Sequence, residues 1–207
     1  MSDSETASQR FTDDETAPAR KRPRPGERRL QILQTLAAML EQPGAERVTT
    51  ASLAAKIGVS EAALYRHFAS KAQMFEGLID FVDQSVIGLI RQVTDREPAG
   101  PVQAGRIVAL LLQFAEKNPG MSRVMIGDAL VLEHERLQER INLLFDKVEA
   151  QLRQSLKAND SATPTAEAQV AASLLVAFMQ GRLQRFARSG FKRLPSEHLQ
   201  AALARML

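Results

Sequence analysis

The 207-residue chain has no cysteine and no tryptophan, one tyrosine and three histidines. Without cysteine there is no disulfide framework and no thiolate metal site, which fits a reducing cytosol. His67, His134 and His198 fall on separate predicted helices, so no histidine cluster has metal-ligand spacing either. His134 and Glu135 open like a zinc-protease motif, but Gln138 stands where its second histidine belongs. Nucleophile elbows and Walker-type or other glycine-rich phosphate loops are missing, so the expectation is a non-enzyme with no cofactor. The longest charge-free apolar stretch, Ala168 to Gly181, is too short and too broken by Gln and Ser to cross a bilayer. An apolar signal core is lacking at the N-terminus. With no strand alternation and no repeat, these absences leave an all-α, soluble, cytoplasmic protein as the expectation.

What is present begins with charge. Met1 to Ala17 holds Asp3, Glu5, Asp13, Asp14 and Glu15 against Arg10 alone, with Met1 and Phe11 as its large apolar side chains, a composition that predicts disorder. The sign then reverses at Arg20, Lys21, Arg22 and Arg24, where Pro23 and Pro25 keep the chain extended. Such a run is either a solvated linker or an arm that follows DNA, with Arg22 and Arg24 suited to phosphates or a narrow minor groove. From Arg20 to Phe75 ten basic residues face four acidic ones, a net of +6 in a chain of net +3. Residues 1–26 therefore read as acidic tail and basic arm, 27–75 as one domain and 76–207 as a second.

The basic region contains the most informative stretch, TTASLAAKIGVSEAALYRHFASK from Thr49 to Lys71. Thr49 can cap a helix carrying Leu53, Ala54 and Ile57 on one face, and Gly58 supplies the backbone freedom to leave it. Val59 plugs the corner, and Ser60 caps a second helix, Glu61 to Phe68, that buries Leu64 and Phe68 and turns Tyr65, Arg66 and His67 outward. A plain helical hairpin shares this pattern, but the hydroxyls and cations are those of a helix-turn-helix. Its second helix enters the major groove by its N-terminal residues, here Glu61, Ala62 and Ala63, while Thr49, Thr50, Ser60, Arg66 and neighbouring cations hold phosphates. From Glu27 to Leu78 the sequence resembles the TetR-type DNA-binding domain, most closely over Leu64, Tyr65, Arg66, His67, Phe68 and Lys71. The resemblance implies that Tyr65, His67 and Lys71 contact phosphate and that Gly58 is the turn glycine. Gln73 and Met74 depart from the family pattern behind the reading head.

The other helices follow from 3.6-residue periodicity. Glu27 to Glu41 carries Leu30, Leu33, Ala37 and Leu40 as its stripe, with Ile32, Leu36 and Met39 beside it, and is ended by Pro43 and Gly44. Ser70 and Gln73 form a predicted capping box for a helix through Phe75, Leu78, Val82, Val86 and Ile90 toward Val93. Val102 to Lys117 is expected to stop at Asn118, Pro119 and Gly120, before a short helix over Ser122 to Gly127. Glu133 to Ala158 has Leu137, Ile141, Leu144, Val148, Leu152 and Leu156 on one face and an i,i+4 pair, Glu149 and Arg153. Thr163 and Pro164 open the next helix, which has no charge between Glu167 and Arg182 and is lined with Ala171, Ala172, Ser173, Ala177 and Gly181. So apolar a helix is either central in one domain or half of a four-helix bundle shared with a second chain, a homodimer. Ser196 to Met206 closes the chain.

Across Arg28 to Lys192 the sequence resembles the nucleoid occlusion factors of the TetR family, on the reading head, on AEKNPGMSR at Ala115 to Arg123 and on ERINLLFDKVEAQLRQSL at Glu139 to Leu156. That resemblance implies a nucleoid-associated homodimer bound to short palindromes in double-stranded DNA, as one dimer or two per site. It also implies binding to the division tubulin homologue FtsZ and disruption of its filaments. The FtsZ tail would lie in a groove between the helix after the reading head and the next one, at Phe81, Leu110, Lys117 and Asn118. Phe81 and Leu110 also suit an ordinary core. Leu89 and Gln113 replace an arginine and a glycine of the pattern, and Arg91 is the cation that could stand in. The alternative is a TetR-type repressor that a small ligand releases from its operator, with Phe81, Phe114, Phe145, Phe178, Phe186 and Phe191 as the aromatics available to a pocket.

Overall fold

The structure is a computed structural model that describes residues 26–42, 48–131, 133–157 and 165–207. Within these residues there are helices and no strand: α1 Glu27–Leu40, α2 Thr50–Ile57, α3 Glu61–Tyr65, α4 Lys71–Thr94, α5 Pro101–Lys117, α6 Pro119–Met125, α7 Glu135–Lys157, α8 Thr165–Arg188 and α9 Leu199–Leu203. The acidic tail, the arginines Arg22 and Arg24, the break at Pro43 and Gly44, and the Thr163–Pro164 cap lie outside the described residues.

In α1 the buried stripe is Ile32, Leu36 and Leu40, one residue per turn, whereas Leu30, expected inside, is 53% exposed. Three adjacent apolar columns compete on this helix, and the neighbours decide which faces inward. Helix α4 is capped by Ser70, whose hydroxyl accepts from Gln73 N; the Gln73 side chain reaches past Ser70 to the amide of Ala69, so the expected capping box is offset by one residue. Met74, Phe75, Leu78 and Ile79 bury the first part of α4 and Val82, Val86, Ile90 and Val93 the rest, so one apolar core runs from the head into the second half of the chain.

Asn118, Pro119 and Gly120 do end α5, but Pro119 is also the first residue of α6, where its missing N–H costs nothing. The short helix therefore starts earlier than expected. Gly120 lets α6 press on α1: a Cβ there would stand 2.1 Å from the carbonyl oxygen of Ala37. Helix α7 buries Leu137, Ile141, Leu144, Phe145, Val148 and Leu152. Its expected Glu149–Arg153 pair is bridged instead by Gln169 of α8, which donates to Glu149 and accepts from Arg153. The buried side of α8 is Ala168, Ala172, Leu175, Val176, Met179 and Leu183, while Val170 and Leu174 are each 59% exposed. After α8 the chain turns through Gly190 and Phe191, both at positive φ, with Phe191 N bonded to Phe186 O and the two rings 5.1 Å apart edge to face. The expected terminal helix shrinks to Leu199–Leu203 because His198 takes a left-handed conformation ahead of it.

Candidate nucleic-acid interface

The reading head is α2, α3 and the turn between them. Thr49 and Ser52 cap α2 reciprocally: the Thr49 hydroxyl accepts from Ser52 N at 3.0 Å and the Ser52 hydroxyl from Thr49 N at 3.1 Å. Gly58 sits at φ 77, ψ 42, a left-handed conformation that glycine adopts without steric cost, and its N–H and that of Val59 both return to Ala54 O. Ser60 then caps α3 through Ala63 N. The Thr50 hydroxyl donates to the Glu61 carboxylate at 2.6 Å, fastening the starts of α2 and α3 to each other. Both residues are candidate DNA contacts, and the structure places them side by side.

Helix α3 ends at Tyr65, not at the expected Phe68, because His67 and Phe68 both donate to Leu64 O in a closing turn. That turn is braced by Arg29, whose guanidinium donates to His67 O and lies 4.0 Å over the Phe68 ring. Nothing local in the sequence marks Arg29 for this; its partners are 38 and more residues away. Leu64 and Phe68 are buried as expected, Glu61, Ala62 and Arg66 are exposed, Tyr65 is 46% exposed, and Ala63 and His67 are half-buried. The outward surface thus has two alanines in front and a tyrosine, an arginine and a histidine behind them. Lys71, the first residue of α4, is engaged within the protein: its ammonium pairs with Glu133 and lies 5.7 Å from the Phe75 ring centre.

The second group of candidate residues borders the seam between α4 and α5. Phe81 is 44% exposed on α4; Leu110 and Asn118 are half-buried and Lys117 exposed along α5 and its end, with Asn118 Nδ2 donating to Phe114 O at 2.7 Å. Gly88, on the Phe81 side of α4, faces open space. Arg91 is exposed on the same helix, and at about 100° per residue it lies about 80° round the axis from Phe81, nearer the flank of Asp80.

Deeper inside, the enclosed space at the centre of the second half, lined by Val86, Leu112, Met125, Phe145, Met179 and Leu183 among others, amounts to about 10 Å³ with no polar surface. A ligand pocket needs hundreds of Å³. Among the described residues no group of three His, Asp or Glu could hold a metal ion, and no helix is long and apolar enough to cross a membrane.

Comparison with known proteins extends over both halves. The family described as "Bacterial regulatory proteins, tetR family" matches residues 32–78, and the SlmA-like family described as "Tetracyclin repressor-like, C-terminal domain" matches residues 101–206. The chain is 49% identical over 177 residues to the nucleoid occlusion factor SlmA of Idiomarina loihiensis, covering 84% of this chain and 90% of that protein. It is 48% identical over 177 residues to SlmA of Vibrio vulnificus, covering 84% and 90%. Among solved structures, a transcriptional regulator from Rhodococcus superposes with a TM-score of 0.70 at 19% identity, covering 86% of this chain and 92% of that one. The TetR-family regulator PfmR of Thermus thermophilus superposes with 0.67, also at 19% identity, covering 86% and 94%. At such identities the structures share the fold alone.

Proposed function

The chain belongs to the TetR family of DNA-binding regulators and, within it, to the SlmA nucleoid occlusion factors, and on that premise we propose that it couples chromosome position to cell division by binding DNA and FtsZ together. It binds chromosomal palindromes as a homodimer through α2 and α3 and, so placed, receives the FtsZ tail and disrupts FtsZ polymers, keeping the division ring off the nucleoid. The observation that carries the reading is the near-half identity over both halves of the chain, since a shared reading head alone would fit any TetR-type repressor.

Three features of the second half support it further. The enclosed space at its centre is about 10 Å³, which leaves little there for a repressor's inducer to occupy. Phe81, 44% exposed, and Leu110, half-buried, could take apolar side chains of a peptide, and the exposed Lys117 would attract an acidic one. The outward face of α8, with Val170, Ser173, Leu174, Ala177 and Gly181, offers apolar and small side chains for a symmetric partner helix.

FtsZ sedimentation with GTP tests the proposal in three mixtures: protein alone, protein with its palindrome, and protein with scrambled DNA. Fewer filaments are expected only with the palindrome. Unchanged filaments in every mixture, with DNA affinity lowered instead by a small molecule, would establish the ligand-gated repressor in its place.

A further inference from the structure

Among the described residues, one ion pair, Lys71–Glu133, joins the start of α4 to the segment just ahead of α7, and three more, Glu76–Arg136, Asp80–Arg140 and Asp83–Lys147, join α4 to α7 itself. In the last three the acid is on α4 and the cation on α7. The first is reversed, and it is the one nearest the reading head. A lysine as the opening residue of a 24-residue helix sits at the positive end of the helix dipole, where a cation is disfavoured and an anion favoured. With Gln73 N already bonded to the Ser70 hydroxyl, it is the Lys71 ammonium at that positive end that asks for an anion. In the structure Glu133, just ahead of α7 and only 12% exposed, supplies it. In the chain Lys71 follows the turn behind the recognition helix by three residues beyond Phe68.

We propose that Glu133 is a positioning residue for DNA binding: its carboxylate holds Lys71 as a backbone phosphate would, and a DNA phosphate must displace it to engage that lysine. This rests on the reading of α2 and α3 as the DNA-binding surface. The competition makes each docked phosphate release the rung that ties the start of α4 to the approach of α7. It also subtracts from DNA affinity, because the free protein already satisfies the lysine.

The test is a double-mutant cycle read by fluorescence anisotropy on the duplex that the wild-type protein selects from random DNA. Glu133→Gln keeps the side-chain volume and removes the charge; it is expected to tighten binding about twofold to fivefold per protomer, the span of a partly exposed ion pair. In a Lys71→Ala background the same change is expected to leave affinity as it is, because the contested lysine is gone. Glu135→Gln, an exposed charge two residues on, controls for the general field and is expected to give the same small change in both backgrounds. Glu133→Asp, too short to reach, is expected to follow Glu133→Gln, and thermal melts show that each variant is folded. Tightening that persists without Lys71, or no tightening at all, overturns the role of Glu133 while selected and scrambled duplexes are still told apart. Failure of the wild-type protein to distinguish those duplexes overturns the DNA-binding reading and this inference with it.

Discussion

Tyr65 and Lys71 differ from Ala62 and Ala63 in what they offer DNA. An exposed phenol and an ammonium recognise phosphate whatever the base, so Tyr65→Phe or Lys71→Ala should weaken selected and random duplexes alike. Lys71→Ala should lower the slope of log affinity against log salt by about one per protomer. Ala62 is exposed and Ala63 half-buried beside it, and side chains so small would let the helix backbone approach base edges. Replacing Ala62 with a longer polar residue should change which palindrome is selected from random DNA more than it changes total affinity. An unchanged selected sequence would remove Ala62 from the readout. Gly120 is a different kind of residue, one that matters for what it lacks. With the Ala37 carbonyl 2.1 Å from where its Cβ would be, Gly120→Ala must push α6 off α1. The cost should be about 1–3 kcal/mol, seen as a fall in Tm of roughly 2–4 °C per kcal/mol. A melting point equal to wild type would mean that α1 and α6 separate freely.

Among the elements, α8 carries the clearest prediction. Its two faces have different jobs: Ala172, Leu175, Met179 and Leu183 are spent on this chain's own core, while Val170, Leu174, Ala177 and Gly181 face outward. Ala177→Glu puts a charge on the outward face only, so the fold should survive while the dimer dissociates. Light scattering at micromolar concentration should then give a monomeric mass, and operator affinity should fall by orders of magnitude because two half-sites are no longer engaged together. A monomeric mass for the wild-type protein would sink the bundle. The recognition element shows the opposite dependence. Helix α3 is five residues long, far too short to persist alone, and it stands because Leu64 and Phe68 are buried and Arg29 closes the turn behind it. Arg29→Ala should therefore reduce DNA binding through the shape of the head as well as through charge, which a loss of circular-dichroism signal smaller than the loss of affinity would reveal.

For the molecule as a whole, the proposed function sets the direction of coupling. A repressor loses DNA when its inducer binds, whereas this protein should act on FtsZ more strongly when bound to DNA, and linkage requires the two affinities to rise together. Lys117→Glu, on the exposed end of α5, should abolish the loss of filaments while leaving operator binding intact; loss of both would place Lys117 in the head's own support instead. Much of this was legible in the sequence, because it depends on local order. The cap at Thr49, the left-handed turn at Gly58, the buried Leu64 and Phe68, and the apolar faces of α4 and α7 all follow from spacing within a helical turn or two, and the pattern of α2 and α3 is specific enough to identify the family. Tertiary packing decided the rest: which of three apolar columns of α1 turns inward, the early start of α6 against Ala37, the bracing of α3 by Arg29 and the capture of Lys71 by Glu133. Each of these joins residues far apart in the chain through the direction of one side chain, and no periodicity along the sequence encodes that direction.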